Sequence, residues 1–157
     1  MRNSVLPVAL LFLLFIGVRC VKGSSCTPKT VSSEAPQIQA FAAANAITAT
    51  AHTSGLYYEV IDPGTGVTPT LNSKIVITYT GTLLDGTVFD TMTNPNTTPW
   101  ALSDLIEGWR IGIPLIKAGG RIKLIVPSAM AYGCMGYGSI PGNSVLYFDI
   151  TLVNVVP

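Results

Sequence analysis

The chain is short of the residues most catalysts use. It has one histidine and three cysteines, and only 11% of its 157 residues are charged. The single histidine, His52, lies in a Thr- and Ser-rich stretch, and no nucleophile-elbow sequence or suitably placed carboxylate pair accompanies it. These shortages exclude a secreted hydrolase and leave no ligand set for a metal. Three cysteines cannot define a disulfide framework. After Gly23, six basic residues stand against eight acidic ones, a net charge of about −2 with no basic patch, so nucleic-acid binding is not supported. The longest apolar run, residues 5–18, has 14 residues, short of the roughly 20 that span a bilayer.

That run is preceded by Arg2 and has the length and flanks of a secretory signal peptide, expected over residues 1–23. Val21-Lys22-Gly23 presents small residues where ordinary signal peptidase cuts, whereas Gly23-Ser24-Ser25-Cys26 presents small residues before a cysteine, as in lipoproteins. In the first case Cys26 is free to pair with Cys134; in the second it is the lipidation candidate and a membrane anchor. The expected location is therefore outside the cytoplasm, either periplasmic or as a membrane-anchored lipoprotein.

Residues 24–54 read as a tether holding a short helix over residues 34–47, with Ser33 as its cap and Pro36 tolerated in its first turn. Residues 48–54 read as a second linker, with His52 solvated. The domain proper is expected over residues 55–157, where period-two alternation begins. Leu56, Tyr58 and Val60 share one face; Ile75, Ile77 and Tyr79 share another; Asp85-Gly86 is a hairpin turn that returns as a strand over residues 88–91. A helical stretch near residues 107–116 contains Pro114 and should be short or irregular. A strand at residues 121–127, a long glycine- and aromatic-rich loop at 128–144 and a last strand at 145–156 complete the chain. The sum is an α+β fold, an antiparallel sheet of about five strands with one apolar face covered by one short helix.

Aromatic side chains converge on that apolar face. Tyr79 and Phe148 come from strands, Phe89 from the hairpin partner, Trp109 from the helix, and Trp100, Tyr132 and Tyr137 from loops. Aromatics on inward faces are ordinarily core. Seven are generous for about 100 residues, however, and loop aromatics more often serve binding. One carboxylate, Asp90, stands beside them. An apolar and aromatic set with so few polar groups suits a reaction that needs desolvation and shape more than a base or a metal.

Several ordered segments carry a resemblance. They are Gly55-Leu-Tyr-Tyr, Pro63-Gly-Thr-Gly, Val76-Ile-Thr-Tyr-Thr-Gly-Thr-Leu-Leu-Asp-Gly-Thr-Val-Phe-Asp90, Leu105-Ile-Glu-Gly-Trp109, Lys117-Ala-Gly-Gly-Arg-Ile-Lys-Leu-Ile-Val-Pro127, Ala131-Tyr-Gly133 and Ile140-Pro-Gly-Asn-Ser-Val-Leu-Tyr-Phe-Asp149. In this order and spacing the chain resembles the FKBP-type peptidyl-prolyl cis-trans isomerases of exported bacterial type over residues 55–157. The resemblance implies a half-barrel sheet wrapped on a short helix, with a proline pocket between them. It carries Tyr79, Phe89, Asp90, Ile106, Trp109, Tyr132 and Phe148 over as catalytic residues. Trp100, Leu105, Tyr137 and Ile140 become substrate-binding ones, the last two on the rim loop. Trp109 is the expected pocket floor, and the Ile106 N–H and Tyr132 hydroxyl are expected to bond carbonyls of the peptide.

The resemblance further implies no cofactor and no metal. It implies proline-containing peptides and unfolded exported proteins as partners, and macrolide inhibitors as ligands of the same pocket. Membrane contact would come only through a lipid anchor. The N-terminal helix is too short for the long dimerising helices of some exported relatives, so a monomer is expected. Two departures bear on substrate preference: Trp100 stands nearest the usual loop phenylalanine, and Cys134-Met135 follows Tyr132-Gly133 where small or polar residues are commoner. A non-catalytic proline-peptide-binding or chaperone module on the same fold is the alternative reading.

Overall fold

Alternating apolar and polar residues carry most of this chain into strands, and the side with the branched and aromatic residues becomes the core. The computed structural model describes residues 26–95 and 97–156; the signal-peptide reading of residues 1–23 lies outside them. Helix α1 spans Val31–Ala44 and α2 spans Glu107–Gly112. The strands are β1 (Thr50–Ala51), β2 (Tyr57–Asp62), β3 (Lys74–Leu83), β4 (Val88–Met92), β5 (Trp100–Ala101), β6 (Arg121–Val126) and β7 (Leu146–Val156). All pairings are antiparallel, in the order β1-β2-β6-β7-β3-β4, with β5 also on β3. Among the described residues seven strands stand where about five were expected, and the two added ones are the two-residue β1 and β5.

The inner face of the sheet packs on α2. Ile75, Ile77 and Tyr79 of β3, Ile122, Leu124 and Val126 of β6, and Leu146, Phe148, Ile150 and Leu152 of β7 are all buried there. The alternation along β7 survives to Leu152. A bulge opposite Val76 and Ile77 then shifts the register and turns Val155 inward. The β3–β4 turn is closed by Asp85, whose side chain accepts from the Thr87 N–H at 2.9 Å. Gly86 there takes φ +89°, a conformation glycine adopts without strain. Pro114 ends α2 as expected, and the chain continues as a 3-10 turn, Ile113–Leu115.

The N-terminal region departs from expectation. Helix α1 starts three residues earlier, with Thr30 and not Ser33 as its cap; the Thr30 hydroxyl accepts from the Ser33 N–H at 3.2 Å. Its stripe packs on the outer face of the sheet, where Ile38, Ala42 and Ile47 form a second buried cluster with Ile125 and Val145. Residues 48–54 are not a free linker, since Thr50 and Ala51 pair with Tyr58 and Tyr57 as an edge strand. His52 is half-buried, with its Nδ1 accepting from the Ser54 N–H at 3.1 Å, and closes the turn into β2.

Candidate active site

Three glycines let the site exist. Gly81 of β3 pairs directly with Phe148 of β7. A Cβ at Gly81 would come within 2.7 Å of the Phe89 ring and 3.0 Å of the Phe148 ring. Without it the two rings meet edge to face, 5.6 Å apart at 87°. Gly108 and Gly112, one turn apart on α2, face Val126 and Leu124; a Cβ at Gly112 would lie 2.6 Å from Leu124 Cδ2. Their bareness seats α2 directly on β6 and presses Trp109 into the inner face. The indole lies edge-on to Phe148 at 5.1 Å and 81°, and to Tyr79 at 5.0 Å and 84°.

The rings enclose a cavity of about 220 Å³ between α2, β3, β4 and β7. Its walls are Tyr79, Phe89, Trp109 and Phe148, with Trp100 and Leu105 on one side and Asp90, Ile106 and Tyr132 at the mouth. All nine belong to the set expected from the sequence. The volume is below the roughly 300–1,000 Å³ of small-molecule sites, which suits one ring of a longer chain lying across the opening. Tyr137 and Ile140, expected on the substrate rim, stand outside this cavity. Tyr137 is 70% exposed and stacks on Tyr132 at 5.2 Å and 16°, while Ile140 is 7% exposed and joins the core. Reciprocal backbone bonds of 3.0 and 2.8 Å tie the two together, so they shape the loop that carries Tyr132.

The polar groups at the mouth are few and mostly donors. The Tyr79 hydroxyl donates to Asp90 Oδ2. Burial raises the Tyr79 ionisation well above the ordinary tyrosine range, and the bond to Asp90, its charge and nearby Tyr132 add to this. Tyr132 is raised as well, by burial first, then by the Asp90 charge and by neighbouring Tyr137. Both hydroxyls therefore keep their protons through neutral pH. Ile106 caps the start of α2: its carbonyl accepts from the Trp109 and Arg110 N–H groups, while its own N–H has no acceptor among the described residues. The buried Trp109 Nε1 has none either. The arrangement can surround an apolar ring and offer N–H and O–H donors to carbonyls beside it.

A wider depression of about 440 Å³ lies on the outer face, around Thr78, Thr80, Thr151 and the Arg121–Asp149 ion pair. It is open, and its two lining tyrosines, Tyr79 and Tyr147, are not paired with each other among the described residues, so size alone does not locate the site. Cys26, the lipidation candidate, is bonded through its sulfur to Cys134, with the Cα atoms 5.6 Å apart. The same Sγ cannot also carry a lipid thioether.

Sequence reasoning assigned no role to Gly81 and Gly108, although both stand in the segments that carry the resemblance, and it missed Gly112 and the burial of Glu34. The spacing of Gly108 and Gly112 by one helical turn was a readable sign of close helix–sheet contact. Glu34 gave no such sign, because its partner is a backbone N–H 94 residues away.

Comparison with known proteins gives the family and the fold. Residues 66–153 match the family of FKBP-type peptidyl-prolyl cis-trans isomerases. Over 105 residues the chain is 42% identical to "FKBP-type peptidyl-prolyl cis-trans isomerase FkpA" of Escherichia coli (strain K12), covering 66% of this chain and 39% of that one. It is 39% identical over 104 residues to "Outer membrane protein MIP" of Legionella longbeachae, covering 65% and 45%. The crystal structure of FkpA from Escherichia coli superposes with a TM-score of 0.71 at 35% identity, covering 80% of this chain and 60% of that chain. This chain thus spans about two-fifths of the curated relatives' length.

Proposed function

The chain belongs to the FKBP-type peptidyl-prolyl cis-trans isomerases, and from that premise we propose that its aromatic cavity accelerates rotation about X-Pro bonds in exported proteins. The barrier to that rotation is about 20 kcal/mol, although trans is preferred by only about 0.5–1 kcal/mol. Resonance makes the barrier: the planar imide has C–N double-bond character and more charge separation than the twisted one. Water therefore stabilises the planar ground state more. A cavity walled by Phe89, Trp109 and Phe148 withdraws the imide from water and needs no proton transfer to do so. Walls fitted to the twisted imide bind it better than either planar isomer, and only that difference accelerates the reaction. A thousandfold acceleration requires about 4 kcal/mol, within reach of shape and desolvation.

Phe89, Trp109 and Phe148 enclose the proline ring, with Trp100 and Leu105 against the residue beside it. The Ile106 N–H and the Tyr132 hydroxyl hold the flanking carbonyls. Asp90 fixes the Tyr79 ring through the bond between them. The observation that carries this reading is the edge-to-face packing of Trp109 and Phe89 on Phe148 around an open cavity. Macrolides that present a proline-like ring would compete for the same space.

We place the protein outside the cytoplasm. The apolar run at residues 5–18 supports export, and so does the Cys26–Cys134 bond, because disulfides persist in oxidising compartments. That bond supports a released periplasmic chain over one anchored by lipid at Cys26. The packing of the α1 stripe on its own sheet supports a monomer. Intact mass of the mature chain distinguishes a disulfide from a lipid-modified Cys26.

The functional test is prolyl isomerisation, followed by protease-coupled cleavage or NMR exchange of a Xaa-Pro peptide. The wild-type chain should accelerate it, and Phe89→Ala should largely abolish the effect. Binding of the peptide without acceleration would establish a non-catalytic module in place of an enzyme.

A further inference from the structure

Tyr132 sits on a loop, not on a strand, yet its hydroxyl must hold a fixed place at the cavity mouth. The loop 128–144 contains four glycines and is stiffened only where something ties it down. Bonds within the loop supply some of these ties, and the segment that starts the described chain supplies the others. Glu34 of α1 is fully buried, and its Oε2 accepts from the Ser128 N–H at 2.8 Å. Ser128 in turn accepts at its carbonyl from the Gly133 N–H at 2.8 Å. The Gly133 carbonyl accepts from the Asn143 N–H at 2.8 Å. The Asn143 side chain grips the N-terminal segment from the other side: Nδ2 donates to the Thr27 carbonyl at 3.0 Å, and Oδ1 accepts from the Lys29 N–H at 3.1 Å. Cys26 then bonds Cys134.

The ties from that segment end at Ser128, at Cys134 or at Asn143, whose own N–H is bonded to the Gly133 carbonyl, so they reach the chain on both sides of Tyr132. Neither α1 nor residues 26–30 line the cavity. A segment that packs on the outer face of the sheet therefore reaches around its end to hold the loop that closes the inner face.

We propose that residues 26–34 are a brace that positions the Tyr132 hydroxyl for substrate, with Glu34 and Asn143 as positioning residues and the Cys26–Cys134 disulfide as the covalent lock. The proposal rests on the reading of Tyr132 as a substrate contact. It makes substrate affinity depend on the N-terminal segment, which touches no substrate, and on the redox state of one cysteine pair. Reduction adds two electrons and two protons from a dithiol such as dithiothreitol, leaving two thiols on the protein and a cyclic disulfide on the reductant.

The test uses the full oxidised chain with Glu34→Ala, Glu34→Gln and Cys26→Ser, each also combined with Tyr132→Phe. Glu34→Gln retains an acceptor oxygen for Ser128 and should behave as wild type. Glu34→Ala and Cys26→Ser should raise KM about fivefold, the effect of one ordinary hydrogen bond to substrate, with kcat nearly unchanged. On the Tyr132→Phe background the same changes should add nothing, because they act through that hydroxyl. Equal KM in all variants overturns the proposal, as does a full additive loss on the Tyr132→Phe background. Hydrogen exchange keeps the question open to measurement independently of catalysis. Amides of residues 128–143 should exchange faster in Glu34→Ala and Cys26→Ser while β3 and β7 stay protected. Unchanged exchange in that loop also overturns the brace. A wild-type chain with no isomerase activity would overturn the functional reading instead, and the exchange result would still decide the brace.

Discussion

Tyr79 donates its hydroxyl hydrogen to Asp90 across neighbouring strands, β3 and β4, and the two residues form part of one cavity wall. On the proposed reading Asp90 orients the ring through this bond. Tyr79→Phe keeps the ring and removes the donor, so stability should fall by about 0.5–1.5 kcal/mol. Asp90→Ala should lower kcat/KM about five- to tenfold, or roughly 1–1.4 kcal/mol of transition-state stabilisation. If Asp90 works through Tyr79, the double variant is no slower than the worse single one. A neutral Tyr79→Phe beside a damaged Asp90→Ala would instead mean that Asp90 acts directly on the turning carbonyl.

The two phenylalanines of the cavity should separate folding from activity. Phe148 is 3% exposed and meets Tyr79, Phe89 and Trp109. Its replacement by alanine should cost about 3–5 kcal/mol, as for other buried phenylalanines, and would confound any assay. Phe89 is half-buried and has one ring neighbour among the described residues. Phe89→Ala should destabilise by less than that range while removing most activity. Urea denaturation and the isomerase assay on the same preparations check both halves.

Period two made β3 and β7 legible, and β6 as far as Leu124, while the Asp85-Gly86 turn marked the return strand β4. The cavity walls followed because Tyr79 and Phe148 sit at inward positions of those strands. What escaped was contact between elements remote in sequence. Residues 121–126 read as one apolar face through Ile122, Leu124 and Val126. Ile125 broke that alternation, and it turns out to be the outward residue on which Ile38 of α1 packs. The apolar run at the end of β6 therefore marked a strand covered on both faces at that end. Thr30 and Ser33 are both good caps, so local chemistry alone did not place the start of α1. Strand β1, two residues long, is too short to show a period.

Alkaline pH should weaken the fold, while stability near neutral pH stays unchanged. Tyr79, Tyr132 and Tyr147 all hold their protons more tightly when folded than the ordinary tyrosine value of about 10. Tyr147, on the outer face, is pushed up to about 12, first by burial and then by the Asp149 charge. In the unfolded chain these groups ionise near pH 10, whereas in the folded chain they ionise later. Stability is thus fully present below pH 10 and is lost as pH rises through the folded values. Thermal melting should show a flat melting temperature between pH 7 and 9 and a decline above about pH 10. Replacing Tyr147 by phenylalanine should soften that decline, and a decline starting near pH 8 would contradict it.

The seating of α2 gives the last prediction, in which two effects of opposite sign compete. Gly108→Ala should stabilise an isolated helix by up to about 1 kcal/mol. Here the added methyl would fall within the side chain of Val126, and at Gly112 it would fall 2.6 Å from Leu124 Cδ2. Overpacking of a filled core costs about 1–3 kcal/mol, so the crowding wins and Gly108→Ala should destabilise. The consequence reaches the site, because the displaced helix carries both Trp109 and the Ile106 N–H. Activity should fall along with stability. Trimming the obstacle with Val126→Ala should restore part of both in the double variant, despite the cavity that Val126→Ala makes alone. Denaturation midpoints and isomerase rates for the two single variants and the pair decide it. Strict additivity would mean that the glycine is tolerated for its backbone and not for the space it leaves.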